Sequence, residues 1–122
     1  METKDLISSY DEVNDTFLGK MSDKNGYYAN YDIANGIFLN IDKNKLPVSV
    51  QINNASCVLN VKKRILYDPN VSILIQCMGD EISFKLYIAN KEIFSNKSLN
   101  IFGIPDVGYE IKANYEVISW VT

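Results

Sequence analysis

The chain contains no histidine. That absence removes every Ser-His-Asp and Cys-His arrangement, and with them the most common general base. Cysteine is scarce, with only Cys57 and Cys77. Two thiols and scattered carboxylates give no zinc-ligand spacing. The isolated glycines belong to no GxGxxG, GxxxxGK[ST] or DxDxDG pattern. No catalytic residue, metal ligand or cofactor is therefore assigned, and the chain reads as a protein that is not an enzyme. Basic residues are not in excess either. Fifteen acids against twelve bases give a net charge of −3. Nucleic-acid binding calls for a basic stripe, so the acidic balance points instead to a basic protein partner. No run approaches the ~18 apolar residues of a membrane-spanning helix. The N-terminal METKDLISSYDEV is charged from its second residue and has no apolar signal-peptide core. A cytoplasmic location is expected on these grounds, with no membrane association, although a removed leader would leave no trace.

At this length the chain 1–122 reads as one domain. Folding buries roughly two-thirds of the surface of a chain this size, so neither metal nor disulfide is required. Both cysteines are expected as buried free thiols. The abundance of Asn, Lys, Ile and Tyr matches an AT-rich coding sequence, as in a bacterium or phage.

What is present is alternation. VSILIQCM and EISFKLYI flank the dipeptide Gly79-Asp80, a two-residue hairpin loop in which Gly supplies a positive φ. Closing that loop sets Val71 against Ile88, Ile73 against Leu86, Ile75 against Phe84 and Cys77 against Ile82. One face is then wholly apolar, and a slip of one residue would destroy the agreement. Further strands are predicted at about 27–33, 37–42, 47–53, 56–67, 98–102 and 109–121, beside 71–78 and 81–89. Asn35-Gly36 is a second hairpin signal. A turn at Asn54-Ala55 would pair Val50 with Leu59, and one at Asp68-Pro69-Asn70 would bring Ile65 against Ile73.

The first segment carries Leu6, Tyr10, Val13 and Phe17 at steps of four, three and four. This spacing predicts an amphipathic helix over about 4–18. The expected fold is α+β, with the N-terminal helix packed on a seven- to eight-stranded antiparallel meander. A sheet that long must curl, and it could close partly into a barrel.

Three surface features stand out. Asp11, Glu12 and Asp15 put three acids on the outer face of the expected helix, which is otherwise a plain solvated face. Tyr27, Tyr28 and Tyr31 follow closely, and tyrosine suits interfaces through its rigid area and polar tip. Alternate tyrosines also simply pack in sheets. Lys62, Arg64 and Lys85 are expected near one another on the polar sheet face. Lys63 would point inward unless a bulge or sheet edge frees it.

A short α+β domain with no catalytic set or secretion signal, and with acids Asp11, Glu12 and Asp15 near Tyr27, Tyr28 and Tyr31, resembles small acidic immunity proteins. These neutralise bacterial toxins of contact-dependent inhibition and related systems. The resemblance implies tight binding to a nuclease-type toxin at or near its active site. Such toxins are basic because they bind phosphate, so an acidic partner is steered to them. Two alternatives stay open. One is a small-molecule carrier with an apolar pocket inside the curled sheet. The other is a phage or mobile-element inhibitor of a host defence enzyme.

Overall fold

In the computed structural model, which describes residues 1–113, the chain begins with a β-hairpin where the four-and-three spacing predicts a helix. Strand β1 is Glu2–Asp11 and β2 is Thr16–Met21. Leu6 and Phe17 are buried, whereas Ile7 and Val13 are exposed by 51% and 92%. The apolar side chains therefore follow a period of two. The reason lies in the loop. Asp11 accepts hydrogen bonds from the Asn14 backbone N–H at 3.2 Å and side-chain amide at 2.7 Å. Asp15 then takes a left-handed φ of 51°. A short polar side chain tolerates that conformation and reverses the chain.

Next come β3 (Ala29–Ala34), β4 (Ile37–Ile41) and β5 (Pro47–Ile52). Asn35-Gly36 makes the turn between β3 and β4, with Gly36 at φ 93°. The stretch 56–67 is not a strand. It forms a short helix α1 (Ala55–Leu59) and a 3₁₀ turn (Lys63–Tyr67). Ala55 and Leu59 are four apart and both buried, the spacing of one helical face. The Asn54 carbonyl accepts the Cys57 and Val58 N–H groups at 3.0 and 2.9 Å, which closes a helical turn in place of a hairpin. Val50 accordingly pairs with Gly19 and Leu39, not with Leu59.

Strands β6 (Val71–Met78) and β7 (Glu81–Ile88) have the register that their alternation dictates, from Val71 against Ile88 to Met78 against Glu81. β8 is Lys91–Leu99, so the segment predicted as a strand at 98–102 is mostly the loop beyond it. β9 is Val107–Ala113, and the remainder of the strand predicted to 121 lies outside the described residues.

The sheet order is β3-β4-β5-β2-β1-β9-β6-β7-β8. β9 inserts between β1 and β6, antiparallel to β6 but parallel to β1. The described residues are thus mostly β, a nine-stranded mixed sheet rather than a helix on an antiparallel meander. Nine twisted strands curl until the edges β3 and β8 nearly meet. Beside β3, Tyr31 stacks on Phe102 at 4.4 Å and 9°, and Lys45 donates to the Phe102 carbonyl at 3.4 Å. At one end α1 and the 3₁₀ turn contribute Ala55, Leu59 and Leu66 to the interior. Phe17, Met21, Ile37, Leu39, Ile73 and Phe84 are fully buried there. These side chains form one packed cluster with the rest of the interior. The surface depressions, of about 200 to 420 Å³, are open to solvent.

Candidate functional site

The acids and the tyrosines occupy opposite ends of the strands. Asp11, Glu12 and Asp15 sit in the loop between β1 and β2, at the end capped by α1. Tyr27 and Tyr28 sit at the other end, where the Tyr28 N–H donates to the Ile41 carbonyl at 2.8 Å. The six residues of β2 separate the two groups, which at about 3.3 Å per residue is roughly 20 Å. No single partner side chain spans both groups.

The three acids also differ in kind. Asp11 and Glu12 are exposed. The Asp15 carboxylate is a structural tie. It accepts the Tyr10 hydroxyl at 2.6 Å, the Ser56 hydroxyl at 2.6 Å and the Ser56 N–H at 3.1 Å. Its carbonyl accepts the Ala55 N–H at 2.8 Å. Burial alone would raise its pKa. The bonds from Ser56 and Tyr10, with Lys63 nearby, outweigh that and hold the carboxyl below its ordinary value. Burial and the same carboxylate push the Tyr10 phenol well above its ordinary value. Asp11 is also lowered, chiefly by the Asn14 side chain.

The basic residues do not gather. Lys62 and Arg64 are exposed on the capping segment. Lys85 lies on β7, 3.9 Å from Glu92. Lys63 is exposed in the 3₁₀ turn and donates to the Glu12 carbonyl at 3.3 Å, so no inward lysine arises. Cys57 is exposed on α1, contrary to the expected burial, and Cys77 is buried on β6. Burial, helped by Asp106, pushes the Cys77 thiol up to about 11. Both are free. Among the described residues no group of three or more Cys, Asp or Glu is placed to hold a metal ion. No described helix is long and apolar enough to cross a membrane.

The tyrosines divide as well. Tyr31 is half-buried against Phe102. Tyr27 and Tyr28 are 55% and 70% exposed. They end the segment 22–28, which folds back over the outer face of β2, β5 and β4. Its tethers are Ser22 N–H to the Asp5 carbonyl at 2.9 Å and Lys24 N–H to the Met21 carbonyl at 3.2 Å. Beneath it runs a polar row across four strands. Lys20 is opposite Ser49, Ser49 opposite Asn40 and Asn40 opposite Asn30. The Asn30 amide donates to Asn40 Oδ1 at 2.6 Å, and the Asn40 amide donates to Ser49 Oγ at 2.7 Å. Asn40 and Ser49 are the buried polar residues of the chain's described part, 1% and 8% exposed. A register shift where β4 meets β5 leaves Val48 as an extra residue opposite no partner. Val48 is buried outside the main core and lines this same face.

Two depressions flank Tyr27. One of about 200 Å³ is floored by the polar row, Leu18 and Val48. One of about 250 Å³ lies between Tyr28 and Asp42-Lys43. Sequence reasoning finds Tyr27 and Tyr28 by their clustering. It misses Asn40 and Ser49, which look like ordinary outward polar positions. Their signal is the covering segment, visible only once the chain is folded.

No protein-family model matches the chain, no curated protein matches its sequence, and no solved structure matches its fold.

Proposed function

We propose that the chain is a non-catalytic binding protein of the bacterial cytoplasm, an immunity protein that neutralises a basic, nuclease-type toxin by tight binding. The observation that carries this reading is the pair Tyr27 and Tyr28. Two adjacent aromatic side chains stand exposed on a segment tethered to a rigid barrel. Exposed tyrosines on a fixed platform bring large contact area at little entropic cost, as at binding hot spots. Depressions on either side of Tyr27 offer places for partner side chains. The net charge of −3 would speed encounter with a basic toxin.

The test is co-expression with the product of the adjacent gene. Growth restored by the wild-type chain, and lost with Tyr27→Ala and Tyr28→Ala, supports the reading. A neighbouring product that is harmless alone, or that stays toxic in the presence of the wild-type chain, counts against it.

A further inference from the structure

The depression beneath Tyr27 has an uneven set of hydrogen-bonding groups. The Ser49 hydroxyl already accepts from Asn40 at 2.7 Å. An O–H group has one proton to give, and among the described residues no acceptor takes it. The Lys20 ammonium has three donors. One reaches the Lys24 carbonyl at 3.3 Å, and no carboxylate pairs with it among the described residues. Lys24 is a second cation at the same rim, and no acid lines the depression. The Asn40 oxygen accepts from Asn30 and its amide donates to Ser49, and Asn40 takes no proton from Ser49. Gln51 adds one amide to the lining, and its NH2 donates to Asn53 Oδ1 at 3.1 Å. The balance is still toward donors and positive charge from Ser49, Lys20 and Lys24, with Leu18 and Val48 as an apolar floor and the Tyr27 ring at the edge.

From this we propose that the depression is a binding site for a small monocarboxylate that carries a compact apolar group. One carboxylate oxygen takes the Ser49 proton, and the Lys20 ammonium takes the charge. Such charge-assisted bonds are the strong ones in a partly dehydrated setting. The apolar group lies on Leu18 and Val48 against Tyr27, in a space of about 200 Å³. A few placed polar groups over an apolar lining is the usual make-up of small-ligand sites. The buried row from Asn30 to Ser49 acts as a positioning device that fixes the Ser49 oxygen. The site shares Tyr27 and this depression with the toxin-binding reading, but calorimetry on the isolated chain tests it without any protein partner.

The test is titration calorimetry of the full chain with benzoate, phenylacetate and isovalerate as probes. Benzyl alcohol serves as a neutral control. Saturable one-to-one binding of at least one carboxylate, with none for benzyl alcohol, is expected. Lys20→Met keeps the stem and removes the charge, and should weaken binding at least tenfold. Lys20→Gln and Ser49→Ala provide further variants, so that one poorly folded protein does not decide the matter. Each is checked by its circular dichroism melt. Ser49→Ala should weaken carboxylate binding severalfold. No saturable binding of any of the three probes overturns the proposal. So does equal binding of benzyl alcohol, or unchanged affinity in folded Lys20→Met or Lys20→Gln.

Discussion

Gly19 of β2 faces Ile73 of β6 across the barrel interior, so closely that a Cβ on Gly19 would lie 2.8 Å from Ile73 Cδ1. The same atom would lie 3.2 Å from Leu6 Cδ1. The φ of Gly19 is not in the left-handed region, so its requirement is space. Gly19→Ala should cost about 1–3 kcal/mol, as overpacking does. Ile73→Val removes the offending methyl and alone should cost about 0.5–1.5 kcal/mol. The double variant should then be more stable than the sum of the two losses allows. Denaturant midpoints of the four proteins give the coupling. Strict additivity would mean that the two residues do not meet across the interior.

The hairpin of β6 and β7 gives a sharper contrast. Ile75 is fully buried between Phe84 and Tyr109, and its neighbour Gln76 faces outward. Ile75→Asp should abolish cooperative folding, because it buries an unpaired charge. Gln76→Asp should melt within a few degrees of wild type. Circular dichroism melts compare them, and equal damage would place the apolar face wrongly.

Asp15 and Tyr10 make stability depend on pH at both extremes. The Asp15 carboxyl is held below its unfolded value. Its contribution is present above about pH 4 and is lost as pH falls through the lower, folded pKa. The Tyr10 phenol is raised. Its contribution is present below about pH 10 and is lost as pH rises above that. Asp15→Asn should cost about 1–3 kcal/mol at neutral pH, since hydrogen bonds to a charged group are lost. It should also flatten the acid limb of the stability profile, and Tyr10→Phe should flatten the alkaline limb. Urea melts from acid to alkaline pH read both. Unchanged limbs would show that the tie between this loop and α1 carries no weight.

The same loop explains which parts of the fold were legible. Leu6 and Tyr10 are four apart, and four residues return to the same side of a helix and of a strand alike. The spacing therefore fits both, and only the exposure of Ile7 and Val13 decides for the strand. The β6–β7 hairpin was readable because Gly79-Asp80 and eight paired positions are all local. The parallel pairing of β1 with β9 joins residues about a hundred positions apart, and no turn chemistry announces it. In the 56–67 stretch, apolar residues alternate loosely enough to mimic a strand. The helical pair Ala55 and Leu59, with the Asn54 carbonyl accepting from Val58, overrides that pattern. At the candidate site, Tyr27 and Tyr28 were visible as types, whereas the buried roles of Asn40 and Ser49 depend on what covers them.

The separation of acids from tyrosines turns the binding proposal into a choice between two ends of the barrel. Asp15 belongs to the fold and is left intact. Glu12→Lys combined with Asp11→Lys reverses the two exposed acids beside α1. Tyr27→Ala and Tyr28→Ala strip the exposed aromatics at the far end. If Tyr27 and Tyr28 dock the toxin, each should raise the off-rate, and at least one should cost ~2 kcal/mol or more of binding free energy. The double-lysine variant should then lower only the on-rate. That loss should fade as salt rises, because exposed charges are screened beyond about 10 Å at 0.1 M. Surface kinetics against the purified toxin measure both rates. A faster off-rate in the double-lysine variant, with none in the tyrosine variants, would move the docking surface to the capped end. There Glu12, Lys63 and the exposed face of α1 would meet the partner instead.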